Sequence, residues 1–184
     1  MFLLRHGQSY FNLHFNKTRV DPEIEDPELT ALGTEQAAAA AAQLADVELT
    51  RIIISPYTRA LQTAEPIVAV HQVPVDIMHE VRERTAFVCD VGSSPAVLAN
   101  RFPHHEFAHL PQQWWAETTE TLEETIARAN AFRALMAARE DSTTTLVVSH
   151  WAFILALTGI SARNGEILEY DPMSQVPENF DWDG

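Results

Sequence analysis

Met1-Phe2-Leu3-Leu4-Arg5-His6-Gly7-Gln8-Ser9 opens the chain. Its apolar start reads as a short strand buried on both faces, residues 1–5, that runs straight into an arginine and a histidine. A buried strand does not ordinarily set Arg and His side by side without an anion to pair with them. Gly7 lets the chain turn sharply behind them and lets an anion approach the backbone. Far downstream, Thr145-Leu146-Val147-Val148-Ser149-His150 repeats the arrangement, and Arg51-Ile52-Ile53-Ile54 is a third short buried strand, closed by Ser55-Pro56. Such runs alternate with helical patterns, and that alternation specifies an α/β fold.

Outward from these strands, residues 10–28 read as a loop rich in Asn, Asp, Glu and Pro. Thr30 is placed to cap a helix over 31–45, whose alanine run favours helix strongly. A helix follows over 57–70, which Pro66 must kink or end. Residues 73–78 form the next strand candidate. Pro95, Pro103 and Pro111 break residues 84–118 into short pieces, where Phe102, Phe107, Trp114 and Trp115 imply either a lid over the site or a satellite core. Leu122, Ile126, Ala129, Phe132 and Met136 recur at helical spacing over 120–139. A β-branched strand over 143–149, a helix Trp151–Thr158 ended by Gly159, and a last strand over 164–170 complete one domain, 1–170. Residues 171–184 read as an acidic, mobile tail.

The 184 residues carry a net charge of −14 and are 46% hydrophobic. That is enough for one sizeable core, and the charge argues against nucleic acid or an anionic membrane surface as partner. The single cysteine, Cys89, rules out an internal disulfide framework. There is no apolar stretch of roughly 18 residues to span a membrane, and the N-terminus lacks the form of a signal peptide. A cytoplasmic location is therefore expected, and the oligomeric state is left open.

Moving a phosphoryl group needs a nucleophile in line with phosphorus, positive charge on the equatorial oxygens and an acid for the departing oxygen. His6 is the candidate nucleophile: a neutral imidazole can attack phosphorus if its other nitrogen is held by a neighbouring group. Arg5 and Arg59 are the candidate clamp, since a guanidinium meets phosphate oxygens bidentately and keeps its charge. His150, just past a strand end, is a further donor, and the helix that follows is expected to aim its N-terminus at the anion. In isolation His6 would read as a satisfied core residue and Arg59 equally as half of a surface ion pair. Their company decides the reading.

Four motifs in order strengthen it. They are Arg5-His6-Gly7-Gln8-Ser9 with Asn12; Leu29-Thr30-x-x-Gly33-x-x-Gln36-Ala37; Ser55-Pro56-x-x-Arg59-Ala60-x-x-Thr63-Ala64; and Ser149-His150. In this the chain resembles the histidine phosphatase superfamily, the phosphoglycerate mutase-like family. The resemblance runs from residue 3 to about 155. It implies a three-layer sandwich with a mainly parallel central sheet flanked by helices, plus a small insertion near 84–118. It also implies a phosphate pocket of Arg5, His6, Arg59 and His150, with Ser9 and Asn12 at its polar positions, and a catalytic Glu after the third strand. Glu83 in Val81-Arg82-Glu83 fits that place, with Glu80 as the alternative acid. The expected activity is a metal-independent phosphatase for a small phosphorylated substrate, needing no cofactor. Phosphoglycerate mutase and a non-catalytic phosphate-binding module are the alternatives.

Other signals are set aside. His79-Glu80-Val81-Arg82-Glu83 lacks the second histidine of a zinc-protease helix. His104, His105 and His109 stand near no cysteine or carboxylate pattern, so no metal site is expected. Cys89 lacks the arginine that a tyrosine-phosphatase loop carries six positions later. In Cys89-Asp90-Val91-Gly92-Ser93, loop packing is the expected role.

Overall fold

In the computed structural model, which describes residues 1–175 and 181–182, Phe2–Arg5 (β1), Arg51–Ile54 (β2), Val75–Ile77 (β3), Thr145–Ser149 (β4) and Ile167–Glu169 (β5) form a single sheet. The strand order is β3-β2-β4-β1-β5. β1, β2, β3 and β4 pair in parallel, and only β5 runs antiparallel to its neighbour, on the outer edge of β1. Arg5 lies level with Ser149 and Ile54 with Val148, so the neighbouring strands β1, β4 and β2 finish at the same edge.

Side-chain alternation divides the sheet into two faces. Leu4, Ile52, Ile54, Leu146 and Val148 point to one side, where they meet helices Ala31–Leu44 (α2) and Thr58–His71 (α3). Leu3, Ile53 and Val147 point to the other, against Leu122–Ala137 (α5) and Trp151–Thr158 (α6). The expected three layers follow directly. Leu3, Leu4, Ile52 and Ile54 are fully buried, and each contributes roughly 1.5–3 kcal/mol from burial. Gly159 closes α6 at φ 75°, as its left-handed conformation requires.

Three expectations need correction. Residues 10–28 are not all loop: Tyr10–Thr18 is a helix (α1). Ser9 and Asn12 form a reciprocal capping box, in which Ser9 Oγ accepts the Asn12 amide and Asn12 Oδ1 accepts the Ser9 amide. Pro66 does not end α3, which continues to His71. A proline in a helix interior costs roughly 3 kcal/mol, but Ala60, Leu61, Ala64 and Ile67 bury one face against the sheet and offset it. Gly7 does not have the positive φ of a sharp turn. Its bare Cα is needed because a Cβ there would lie 2.4 Å from the Gly33 carbonyl oxygen, and one on Gly33 would lie 2.1 Å from that of Gln8. The two glycines let α2 press against the loop behind β1.

The 84–118 segment holds one short α-helix, Pro95–Arg101 (α4), and a 3-10 turn, Val88–Asp90, and is otherwise irregular. Phe102, Phe107 and Trp114 are buried with Leu98 and Leu110 in the core beside α3. This is the satellite-core alternative, not the lid. Half of the expected mobile tail, residues 176–180 and 183–184, lies outside the described residues. Among the described residues no helix is long and apolar enough to cross a membrane.

Candidate active site

The end of β1, the starts of α1, α3 and α6 and the 83–90 segment enclose a cavity of about 440 Å³, lined by Arg5, His6, Ser9, Asn12, Arg59 and Glu83 among others. His150 is fully buried and does not itself line the cavity, but its ring lies 5.0 Å from that of His6, centroid to centroid. Side chains from two of the four motifs therefore converge with Glu83, and His150 of a third motif packs against them. Glu80 does not join them. Its side chain is 47% exposed beside His79 and lines no part of the cavity.

His6 is buried, and its Nδ1 lies 2.7 Å from the carbonyl oxygen of Gly7. A carbonyl can only accept, so Nδ1 carries the proton and Nε2 holds the free lone pair of a neutral ring. Neutrality is enforced by burial first, then by the Arg59 and Arg5 guanidinium groups, which together hold the imidazole well below its ordinary range. The carbonyl partner that an attacking histidine requires is thus supplied by the next residue in the chain.

His150 lies 2.7 Å from Ser55 Oγ through Nε2, while its Nδ1 is buried without a protein partner. If Ser55 donates to Nε2, Nδ1–H is left as a donor. Arg5 gives Nη1 to the Ala162 carbonyl and keeps a buried, unpartnered Nε. Burial pulls its guanidinium down to about 10, still charged at neutral pH. Buried donors without partners are uncommon, and two of them from Arg5 and His150 fit an anion.

Arg59 is the second residue of α3. It is held by the Cys89 carbonyl at 2.9 Å and by Asp90 at 3.2 Å, with side chains only 3% and 2% exposed, and it stacks 4.3 Å from the Tyr57 ring. Asp90 also accepts the amides of Ala86 and Phe87. The Cys89-Asp90 segment therefore fixes the clamp, a role that sequence reasoning missed. An Arg and an Asp far apart along the chain carry no pattern that would reveal it.

Glu83 accepts the Arg84 amide at 2.9 Å and the Ala152 amide at 3.0 Å, both through Oε1. The N-terminus of α6 is thus aimed at this carboxyl, not at the anion as expected. Burial, followed by the Asp90 charge, raises the Glu83 carboxyl above its ordinary value despite both guanidinium groups. Arg128 holds the segment that carries it, donating to the carbonyls of Glu80 and Arg82 at 2.9 Å while paired with Glu120. Asn12 Oδ1 accepts from Ser9 and from Asn164, which leaves its Nδ2 as donor. Ser9 itself is engaged in the helix cap.

The remaining motif residues hold the loop. Thr63 Oγ1 accepts the Gly7 amide and donates to the Arg59 carbonyl. Gln36 accepts the Gln8 amide, and Thr30 donates to Gln8. The mouth of the cavity is aromatic. Phe11, Phe15 and Phe87 pack with centroids 5.0–5.3 Å apart on one wall, and Trp151 meets Trp182 at 6.2 Å on another.

A sequence model of the histidine phosphatase superfamily, branch 1, matches residues 1–172. No curated protein matches the chain. Among solved structures, a mycobacterial glucosyl-3-phosphoglycerate phosphatase is 25% identical with a TM-score of 0.58, covering 86% of this chain and 77% of that one. The ecdysone phosphate phosphatase of Bombix mori, in complex with tungstate, shares 14% identity with a TM-score of 0.66 over 99% of this chain and 97% of that one. A phosphoserine phosphatase of Entamoeba histolytica, in complex with 3-phosphoglyceric acid, is similar at 23% identity and TM-score 0.57, covering 90% and 87%.

Proposed function

The chain belongs to the histidine phosphatase superfamily, branch 1, and from that premise we propose that it is a metal-independent phosphatase hydrolysing a small phosphate monoester through a phosphohistidine on His6. The observation that carries this reading is the Nδ1 contact from His6 to Gly7, which leaves a neutral Nε2 beside two guanidinium groups and His150.

The phosphate enters between Arg5, Arg59, His150 and Asn12. His6 Nε2 attacks, the N–P bond forms and the P–O bond to the alcohol breaks. Glu83, whose carboxyl is raised by burial, gives a proton to the leaving oxygen. Water then attacks the phosphohistidine as the Glu83 carboxylate takes its proton, the N–P bond breaks, and phosphate leaves. Arg5 and Arg59 supply positive charge at each step and the neutral His150 a hydrogen bond, so the chemistry does not call for a metal.

The phosphatase activity of the mycobacterial relative supports hydrolysis over transfer to a second alcohol. The aromatic mouth suits an ester whose alcohol carries an apolar portion. A cytoplasmic location is part of the same proposal. The test is His6→Ala, expected to abolish turnover and ³²P trapping while circular dichroism stays unchanged. Wild-type phosphatase rates in this variant would overturn the reading.

A further inference from the structure

Glu106 follows His104 and His105 in the sequence, but the fold brings both rings a different carboxylate. Glu65, on α3, places Oε1 2.7 Å from His104 Nε2 and 3.5 Å from His105 Nε2, and the three donor atoms all lie within 4.8 Å of one another. Residues adjacent in an irregular chain usually point apart. Here the two rings sit 4.4 Å apart, centroid to centroid, and both turn to the same oxygen.

The His105 side chain is 2% exposed, and its Nε2 is a buried nitrogen without a hydrogen-bond partner. A buried ring nitrogen aimed at a carboxylate but not bonded to it is an unmet ligand atom. Phe107 packs edge-on to this ring, and the His105 amide bonds the Phe102 carbonyl, so its position is set. Glu65 and His104 are 38% and 52% exposed, which opens a path for an ion. His109 stays outside the group, bonded to the Ile77 carbonyl.

We propose that Glu65, His104 and His105 bind one divalent transition-metal ion, such as Zn²⁺ or Ni²⁺, and so tie the 84–118 segment to α3. Two imidazoles and one carboxylate suit these ions, whereas Mg²⁺ and Ca²⁺ demand oxygen. Tetrahedral ligation places donor atoms about 3.3 Å apart, so the present spacing needs only small side-chain adjustments. Water completes the shell on the exposed side. None of the three residues lines the phosphate cavity, and the ion takes no part in turnover. It opposes opening of the segment whose Trp114 packs against Tyr57, which in turn packs against His150.

The test is calorimetric titration and thermal unfolding of the untagged protein with ZnCl₂, NiCl₂ or MgCl₂. Zn²⁺ or Ni²⁺ at a hundred times Kd should raise Tm by roughly 5–10 °C at one ion per chain, and Mg²⁺ should not. Glu65→Gln and His104→Ala, both at exposed positions, should each weaken binding about tenfold or more. No binding to the wild type, or undiminished binding in both variants, would overturn the proposal. Since the readout is binding, it stands apart from the phosphatase reading.

Discussion

At the scale of single residues, two carboxyl and imidazole groups work against their ordinary chemistry. On the proposed mechanism Glu83 donates a proton, and burial, ahead of the Asp90 charge, raises its carboxyl in the direction that favours this. Replacing it with Gln should lower kcat on an alkyl phosphate by roughly 10²–10⁴-fold. On p-nitrophenyl phosphate the loss should be much smaller, because that leaving group needs no proton. Equal losses on both esters would remove Glu83 from the acid role. His6 must stay unprotonated to attack, and its folded-state value lies below the ordinary 6.5. Activity is lost only as pH falls through that lowered value. The acid limb of kcat/KM, which reports the free enzyme, should therefore lie below pH 6.5. A limb at or above 6.5 that His6 alone explains would contradict the geometry. The choice of Glu83 over Glu80 rests on residue contacts: one carboxyl meets Ala152 at the start of α6, the other faces solvent.

At the scale of elements, the site is held by parts that belong to separate segments. α3 presents Arg59, but the 83–90 segment orients it. Asp90→Ala would leave a buried guanidinium without its counter-charge, which costs about 3–5 kcal/mol. A urea titration should show that loss, with impaired substrate binding in whatever fraction stays folded. A loss under 1 kcal/mol would mean that the pair is not buried as described. The same dependence on distant segments explains the misread elements. α1 is only nine residues long, two of them asparagines, and its Phe11 and Phe15 are covered by Phe87, which no local window contains. Pro66 is tolerated because the sheet and α2 pay for the helix around it. Pattern reading was reliable where burial was continuous, as in β1, β2, β4 and α6. It was weak where one segment leans on another.

At the scale of the whole molecule, the cavity is a concentration of positive charge inside a chain of net charge −14. An anion that binds only the folded state should stabilise it. Inorganic phosphate at a hundred times Kd should add about 2.7 kcal/mol, or roughly 5–10 °C in Tm. Arg5→Ala should abolish most of that shift, and a shift of equal size in the variant would show that phosphate binds elsewhere. The sequence by itself determined the α/β class, the buried strands β1, β2 and β4 and the polar groups Arg5, His6 and His150 at strand ends, because buried strands and strand-end polar groups are local patterns. Tertiary structure alone decided which carboxyl meets the cavity, that Cys89 and Asp90 hold Arg59, that Gly7 and Gly33 must both lack a side chain, and that Glu65 meets two histidines. Those are contacts between residues far apart in the chain, and their energies exist only once the backbone has brought them together.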